Sequence, residues 1–500
     1  MSRVRIRLLI VILLLLGPPG VRAQQDASSV TLEDVFQMLQ KQQKMIESQQ
    51  ATIDGLSARL DDVAPEKPQI AGSDTAPPSG DSARTQRQTD SLDQQMADQR
   101  TSKRGMPPNV ITAGDFPGSI SVPGTDMAGK VGGNARVALV NNFDPIGSSD
   151  QFIAGEIPVP GDSSSADGDL FEGASISAKR SQLNVDMRMD SNVGQFRAFI
   201  EGDFVTEVGS SDVFRLRHAY GQYKGILVGQ TWTTLMDLRA EPEELDFEGL
   251  NGEIVLRHPL MRWGKALGDN RRLTLALEDP TPGIVNGDGK SDTPDLVSTI
   301  NLRRDAGHVQ FGGLLRNIKG EQTVDPEDGM NDGETRSGTV TGWGLSFSGS
   351  QKLKAGGGHD RLMWQLNLGE GFGGYINDTA TLGDLDAVFS PDGTLKALPV
   401  FGGYVALEHF WIRDPLAYFG AKGLLKNLRS SLVYGYTGIS NFDFQPDDAY
   451  AETQRASVNL IWSPMEQIDV GVEYLWGTRK NKGGRSGAAN QLQLVVTYNF

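Results

Sequence analysis

From residue 130 onward, apolar and polar residues alternate in short stretches separated by clusters of Gly, Asn and Asp, the period-two signature of strands with two unlike faces. In residues 182–189, Leu183, Val185, Met187 and Met189 oppose Gln182, Asn184, Asp186 and Arg188. Phe196, Ala198, Ile200 and Phe204 oppose Arg197, Phe199, Glu201 and Asp203, and Leu362, Trp364, Leu366 and Leu368 oppose Arg361, Gln365 and Asn367. The chain ends the same way: Leu492, Leu494, Val496, Tyr498 and Phe500 fall on one parity, Gln491, Gln493, Thr497 and Asn499 on the other. Sixteen such segments are predicted, near 131–141, 178–189, 194–204, 213–223, 225–232, 253–263, 270–278, 295–304, 307–317, 338–348, 359–369, 399–411, 428–438, 454–462, 467–478 and 489–500.

Two-faced strands suit either a soluble β-sandwich, which hides its apolar faces between sheets, or a membrane barrel, which turns them to lipid around a polar lumen. Two features favour the barrel. The polar parity carries Arg, Asp, Glu, Gln and Asn across most segments, more charge than a sandwich surface needs. The connections mostly alternate long (142–177, 233–252, 279–294, 318–337, 370–398) and short (190–193, 264–269, 305–306, 463–466), as outer loops and periplasmic turns do. The connections 205–212 and 412–427 depart from that alternation. The expected fold is therefore an all-β transmembrane barrel of about sixteen antiparallel strands over residues 130–500.

Upstream, the period changes. Within residues 30–63, Leu32, Leu39, Ile46, Ile53 and Leu60 recur every seven residues, with Val35, Gln42, Gln49, Leu56 and Val63 three places later. That is an a/d heptad pattern, so an N-terminal α-helical coiled coil precedes the barrel, expected as a three-stranded trimerisation segment. A lone amphipathic helix is the alternative. Residues 64–129 lose all periodicity, scatter Pro65, Pro68, Pro77, Pro78, Pro107 and Pro108 among polar residues, and read as a flexible linker. At the start, Arg3, Arg5 and Arg7 precede the apolar block 8–16 and the small-residue stretch ending at Ala23. Residues 1–23 are a signal peptide on this pattern, and no apolar run reaches the ~18 residues of a membrane helix. The exported chain has no cysteine, so no disulfide framework holds it, and its net charge of −16 argues against nucleic acid as a partner.

The stretch 214–262 narrows the reading. Arg217-His218-Ala219-Tyr220-Gly221, Gly229-Gln230-Thr231-Trp232 and Pro242-Glu243-Glu244-Leu245-Asp246-Phe247 resemble the DcaP-like family of gammaproteobacterial outer-membrane porins. The resemblance implies an N-terminal coiled coil followed by a sixteen-stranded trimeric porin passing dicarboxylic acids. Tyr498-Asn499-Phe500 is similar to the C-terminal signature of outer-membrane barrels, which implies the barrel-assembly machinery as a partner through Phe500.

A barrel of sixteen strands has a wide lumen, commonly narrowed by an infolded loop. The connection 233–252 is the candidate constriction loop, with Glu241, Glu243, Glu244, Asp246 and Glu248. Arg197, Arg215, Arg217, Arg257, Arg303, Arg316 and Arg361 are assigned to lumen parity as the cations of a substrate path. An acidic loop opposite arginines sets up a transverse field that favours anionic solutes. The alternative is that these arginines only brace the wall by pairing with Asp186, Glu201, Asp203 and Glu253; Arg215 and Arg217, adjacent on one face, repel unless an anion sits between them. The acidic run 321–334 is read as a solvated outer loop, with cation bridging to lipopolysaccharide as the lesser alternative. None of the five histidines shows a nucleophile and an orienting acid in an evident constellation, so catalysis, metals and cofactors are not expected. The functional expectation is a trimeric diffusion channel for small anionic solutes, with dicarboxylates as the expected class. The rival is a cell-envelope tether, a barrel anchor whose coiled coil grips the cell wall.

Overall fold

The computed structural model describes residues 113–161, 170–205, 213–279, 281–290, 292–324, 334–354, 360–383, 385–411 and 427–500. The signal peptide, the heptad segment 30–63 and the linker as far as residue 112 lie outside the described residues. The expected linker's last part is structured: Ile120–Ser121 pairs with the first barrel strand, which begins at Met127 rather than near 131.

Sixteen antiparallel strands form the barrel. They are β1 Met127–Ile146, β2 Gln182–Ser191, β3 Gly194–Asp203, β4 Arg215–Tyr223, β5 Ile226–Trp232, β6 Arg257–Ala266, β7 Arg271–Glu278 and β8 Asp295–Arg304. The second half comprises β9 Gly307–Val324, β10 Glu334–Lys352, β11 Arg361–Glu370, β12 Pro399–Phe410, β13 Leu428–Ile439, β14 Tyr450–Met465, β15 Ile468–Asn481 and β16 Ser486–Asn499. All the predicted segments become strands, because period-two alternation over a dozen residues has no other regular solution. Their ends move most. The acidic run expected in an outer loop is partly strand, with β9 and β10 forming a tall hairpin that pairs through Val324↔Glu334.

Apolar residues of one parity remain exposed around the wall: Val137 and Leu139 on β1, Phe311 and Leu315 on β9, Leu492, Leu494 and Val496 on β16. A soluble protein would bury them; here they form the outward band that lipid wets. The last strand closes the cylinder on the first, from Asn134↔Asn499 to Asn142↔Gln491. Phe500 completes the seam, exchanging backbone hydrogen bonds with Gly133 at 3.1 and 3.2 Å, and its ring lies beside that of outward-facing Tyr498. A closed cylinder leaves no strand edge in lipid.

Two irregularities set up the lumen. On its other side β1 pairs with β2 over residues 127–134 and with the strand Phe171–Ser177 over 138–146. The expected long loop 142–177 is thus partly wall, and residues 178–181 bridge the break. The second irregularity is a bulge between β3 and β4: Glu201 opposes His218 and Gly202 opposes Leu216, leaving Arg217 as the extra residue. One extra residue flips everything beyond it to the other face. His218, expected beside apolar neighbours, is buried inward together with Arg217.

The lumen is not empty. Connections 147–161, 233–256, 279–294 and 371–398 fold into it. Leu235, Ile254, Phe372, Tyr375, Ile376, Val388 and Leu398 from these loops pack with wall residues Ala276, Val297, Leu314, Val400, Ile439 and Tyr450 in one apolar core. A small inner sheet joins Gly283–Ile284, Leu385–Phe389 and Leu395–Ala397.

Candidate functional site: the lumen wall and its infolded loop

The loop 233–256 crosses the lumen surface from β9 to β1, and the wall receives it residue by residue. Its start is tied by Asp237, whose carboxylate meets His308 Nε2 at 2.8 Å and accepts from Ser348 Oγ at 2.7 Å. His308 Nδ1 lies 3.0 Å from Ser350 Oγ. Asp237, His308 and Ser350 stand far apart in sequence, so spacing could not show this contact. Farther along, Tyr404 donates to Ala240 O at 3.1 Å and Asn459 Nδ2 to Glu243 O at 2.8 Å. Glu473 accepts from Leu245 N and Asp246 N, both at 2.7 Å, and Arg136 Nη2 donates to Leu245 O. The loop's end is held by Asn251 to Thr453 (2.8 Å), by Asn367 to Gly252 O (2.9 Å) and by Ile254 N to Gln365 (3.0 Å).

Glycines make this close seating possible. Gly252 sits at φ +78, and a Cβ there would lie 2.3 Å from Tyr436 O and 2.4 Å from Gly403 N. On the wall, a Cβ at Gly435 would lie 2.3 Å from Asn251 O, and one at Gly471 would lie 2.6 Å from Leu245.

The loop's carboxylates do not face an open field. Glu243 pairs with Arg429, Glu244 with Arg455 at 3.4 Å and Ser457 at 3.2 Å. Asp246 takes Arg455 at 3.3 Å and Gln493 at 2.7 Å. Glu248 accepts from Gln151 at 2.7 Å and Thr381 at 3.0 Å. Arg429, Arg455 and Glu473 were not among the candidates, although each has the lumen parity of its strand. Burial pushes Glu241 up to about 7 and Glu244 up to about 8, the latter with Arg455 opposing. Burial likewise pushes Glu248 up to about 8, with Asp246 and Asp378 adding to it. Burial thus weakens the ionisation of all three near neutral pH, and the loop carries less negative charge than its composition indicates.

The candidate arginines separate into three groups. Arg197, Arg215 and Arg217 lie together on the lumen face of β3 and β4. Arg197 binds Asp186 through Nε at 2.8 Å and Nη2 at 3.1 Å, and Arg188 holds the same carboxylate at 2.7 Å. Arg215 (2.7 Å) and Arg217 (3.0 Å) share Asp203, and Arg217 also reaches Glu201 at 3.0 Å. The anion that the adjacent arginines required is thus Asp203. Arg316 and Arg361 form a second group, engaged by the protein itself. Arg316, 4 % exposed, lies between Asp295 (3.1 Å) and Asp386 (3.0 Å), anchoring the 371–398 loop. Arg361 makes a two-pronged pair with Glu408, both contacts at 3.0 Å.

Arg257 and Arg303 make up the third group. Arg257 begins β6 with its guanidinium 4.5 Å from the Trp232 ring centre and its Nη1 buried, near enough to Arg215, Arg217, Glu201 and Asp203 to feel their charge. Residues 253–256, expected as strand, belong to the loop. Arg303 is exposed at the short-turn end of β8.

Two further arginines complete the site. Arg180, in the break before β2, pairs with Asp150 at 3.2 Å, and Lys179 approaches the same carboxylate at 3.4 Å. The guanidinium of Arg180 lies 4.6 Å from the centre of the Phe247 ring on the loop, and that of Arg217 lies 5.1 Å from it. Buried Arg180 Nε and Nη1 and Arg136 Nε have no acceptor among the described residues. Arg180 falls in the predicted segment 178–189 on the parity of Asp186 and Arg188, but was not among the candidates.

The two sides of the lumen thus differ in how charge is shared. Around β2–β4 three carboxylates hold two cations each: Asp186 has Arg188 and Arg197, Asp203 has Arg215 and Arg217, Asp150 has Arg180 and Lys179, while Glu201 draws on Arg217 as well. Under the infolded loops three arginines hold two carboxylates each: Arg455 has Glu244 and Asp246, Arg429 has Glu243 and Asp469 at 3.4 Å, Arg316 has Asp295 and Asp386. The first side has cationic charge to spare. The second does not.

Solved structures share the fold. The outer-membrane channel DcaP of Acinetobacter baumannii superposes with a TM-score of 0.61 at 23 % identity, over 78 % of this chain and 100 % of that one. OmpT of Vibrio cholerae (TM-score 0.45, 12 % identity, 75 % and 98 % covered) and an anion-selective porin from Comamonas acidovorans (0.44, 10 %, 75 % and 100 %) are more distant. A search of curated proteins finds no match. The family model described as DcaP outer membrane protein matches residues 109–351 and 416–500, and this chain, an outer-membrane porin, belongs to that family.

Proposed function

We propose that the channel passes small anionic solutes by diffusion, dicarboxylic acids among them. The observation that carries the reading is the two-to-one sharing of Asp186, Asp203 and Asp150 by arginine and lysine. A guanidinium whose carboxylate is already divided with a neighbour keeps donors for a passing anion, and it stays charged at every working pH. Arg188, Arg197 and Arg215 have side chains 31, 29 and 40 % exposed, so a solute in the lumen can reach them. Two such sites on adjoining strands offer a solute with two carboxylates two places to exchange partners. Planar-bilayer reversal potentials test this: in a KCl gradient the current is carried mainly by chloride, and a short aliphatic dicarboxylate replaces chloride as a permeant ion. Cation preference in every salt would overturn it.

The same proposal takes the mature chain as a homotrimer joined by the heptads of residues 30–63 in the periplasm. Lipid and lipopolysaccharide surround the apolar band, and Phe500 is the residue read during barrel assembly. The heptads also support the rival reading, an envelope tether. Deleting residues 24–110 separates the two: loss of trimers with conductance retained per barrel fits the porin, and loss of cell-wall association fits the tether.

A further inference from the structure

The short-turn end of the barrel carries a row of basic side chains on its outer face. Lys265 on β6, Arg271 on β7 and Arg304 on β8 are exposed. Each has the parity of outward apolar residues: Met261 (52 % exposed) and Trp263 (41 %) on β6, Leu275 and Leu277 on β7, Leu296 on β8. The register sets the three side by side. Lys265 pairs with Leu273, two residues from Arg271, and Arg271 pairs with Leu302, two residues from Arg304. Such diagonal neighbours on one sheet face stand roughly 7–8 Å apart. Lys224 extends the row from the adjoining turn, where Gly264 N donates to Gly225 O at 2.9 Å. Its ammonium lies 5.3 Å from the centre of the Tyr223 ring.

None of the four forms an ion pair among the described residues, and the β6–β7 and β8–β9 turns carry Asp269 and Asp305. Four like charges in one row repel one another unless anions collect against them. Toward the middle of the wall the same face turns apolar through Tyr223, Trp263, Leu273, Leu275 and Leu302. Cations at the edge of an apolar band stand at headgroup height, and the short-turn end places them at the inner, periplasmic leaflet.

An anionic headgroup joined to acyl chains matches both halves of this surface. We propose that Lys224, Lys265, Arg271 and Arg304 bind the phosphate of an anionic phospholipid of the phosphatidylglycerol class, its acyl chains lying along β5–β8. A zwitterionic phosphatidylethanolamine fits less well, because its own ammonium is repelled by the row. The difference should reach about tenfold in occupancy, equivalent to about 1.4 kcal/mol.

Native mass spectrometry of the full-length protein, released from detergent with equal phosphatidylglycerol and phosphatidylethanolamine, tests this. The wild type retains phosphatidylglycerol about tenfold over phosphatidylethanolamine, and Lys224→Gln/Lys265→Gln/Arg271→Gln/Arg304→Gln binds the two alike. Should the quadruple variant fail to fold, Arg271→Gln/Arg304→Gln shows a reduced preference instead. Lys290→Gln, on the long-loop side of the barrel, changes nothing. Equal retention by the wild type, or a preference that survives the substitutions, would overturn the site. The row faces away from the lumen, so these variants keep the ion selectivity of the wild type, and loss of the lipid site leaves the channel reading intact.

Discussion

At the scale of single residues, lumen chemistry is decided by who shares whom. Arg455 serves two buried carboxylates, so Arg455→Met leaves Glu244 and Asp246 without their cation. Removing one partner of a buried pair costs about 3–5 kcal/mol; the urea midpoint of the refolded barrel in detergent should fall accordingly, and an unchanged midpoint would mean that the pair is idle. Asp203→Asn acts oppositely on transport: it releases Arg215 and Arg217 from their shared anion, so chloride preference rises while the barrel loses stability. Parity placed Arg197, Arg215, Arg217, Arg316 and Arg361 on the inside from sequence alone. It could not say which of them would be consumed, because their partners are set by register and by distant loops. Arg316 meets Asp386, and Glu473 meets the backbone of Leu245, across separations that no local pattern encodes.

At the scale of elements, the strands were legible and the loops were not. Sixteen alternating segments survived because each strand's period follows from its own residues, wetted by lipid on one side and by lumen groups on the other. The loop's path depends on small residues that strand patterns treat as noise. Gly435 and Gly471 interrupt otherwise regular strands, and both lie under the loop. Gly435→Val drives a side chain into Asn251 O, so the loop lifts, at a cost of about 1–3 kcal/mol, and single-channel conductance increases; an unaltered conductance would show that the loop does not narrow the pore. Protons act on the same element. Glu244 and Glu248 bind protons in the folded state up to about 8 but release them near 4.5 when unfolded. The folded form therefore holds more protons across that window, so loop packing weakens as pH rises from about 4.5 to about 8 and changes little above it. Ionised glutamates also add negative charge to the lumen. Chloride preference should accordingly fall between pH 6 and pH 9, and a flat selectivity profile would contradict the protonated loop.

At the scale of the whole molecule, the net charge of −16 sums residues far from the lumen together with those that line it. Selectivity depends on the charge that solutes meet, and the lumen divides it unevenly: carboxylates outnumber their arginines beneath the loop, while cations outnumber their carboxylates around β2–β4. The most direct test of that division is the reversal potential of the purified porin in a tenfold KCl gradient across a planar bilayer, wild type against Arg188→Gln/Arg197→Gln/Arg215→Gln. Chloride selectivity in the wild type, shifted strongly toward potassium by the three substitutions, is the predicted result. Potassium selectivity in the wild type, or a reversal potential indifferent to the loss of these arginines, would contradict it.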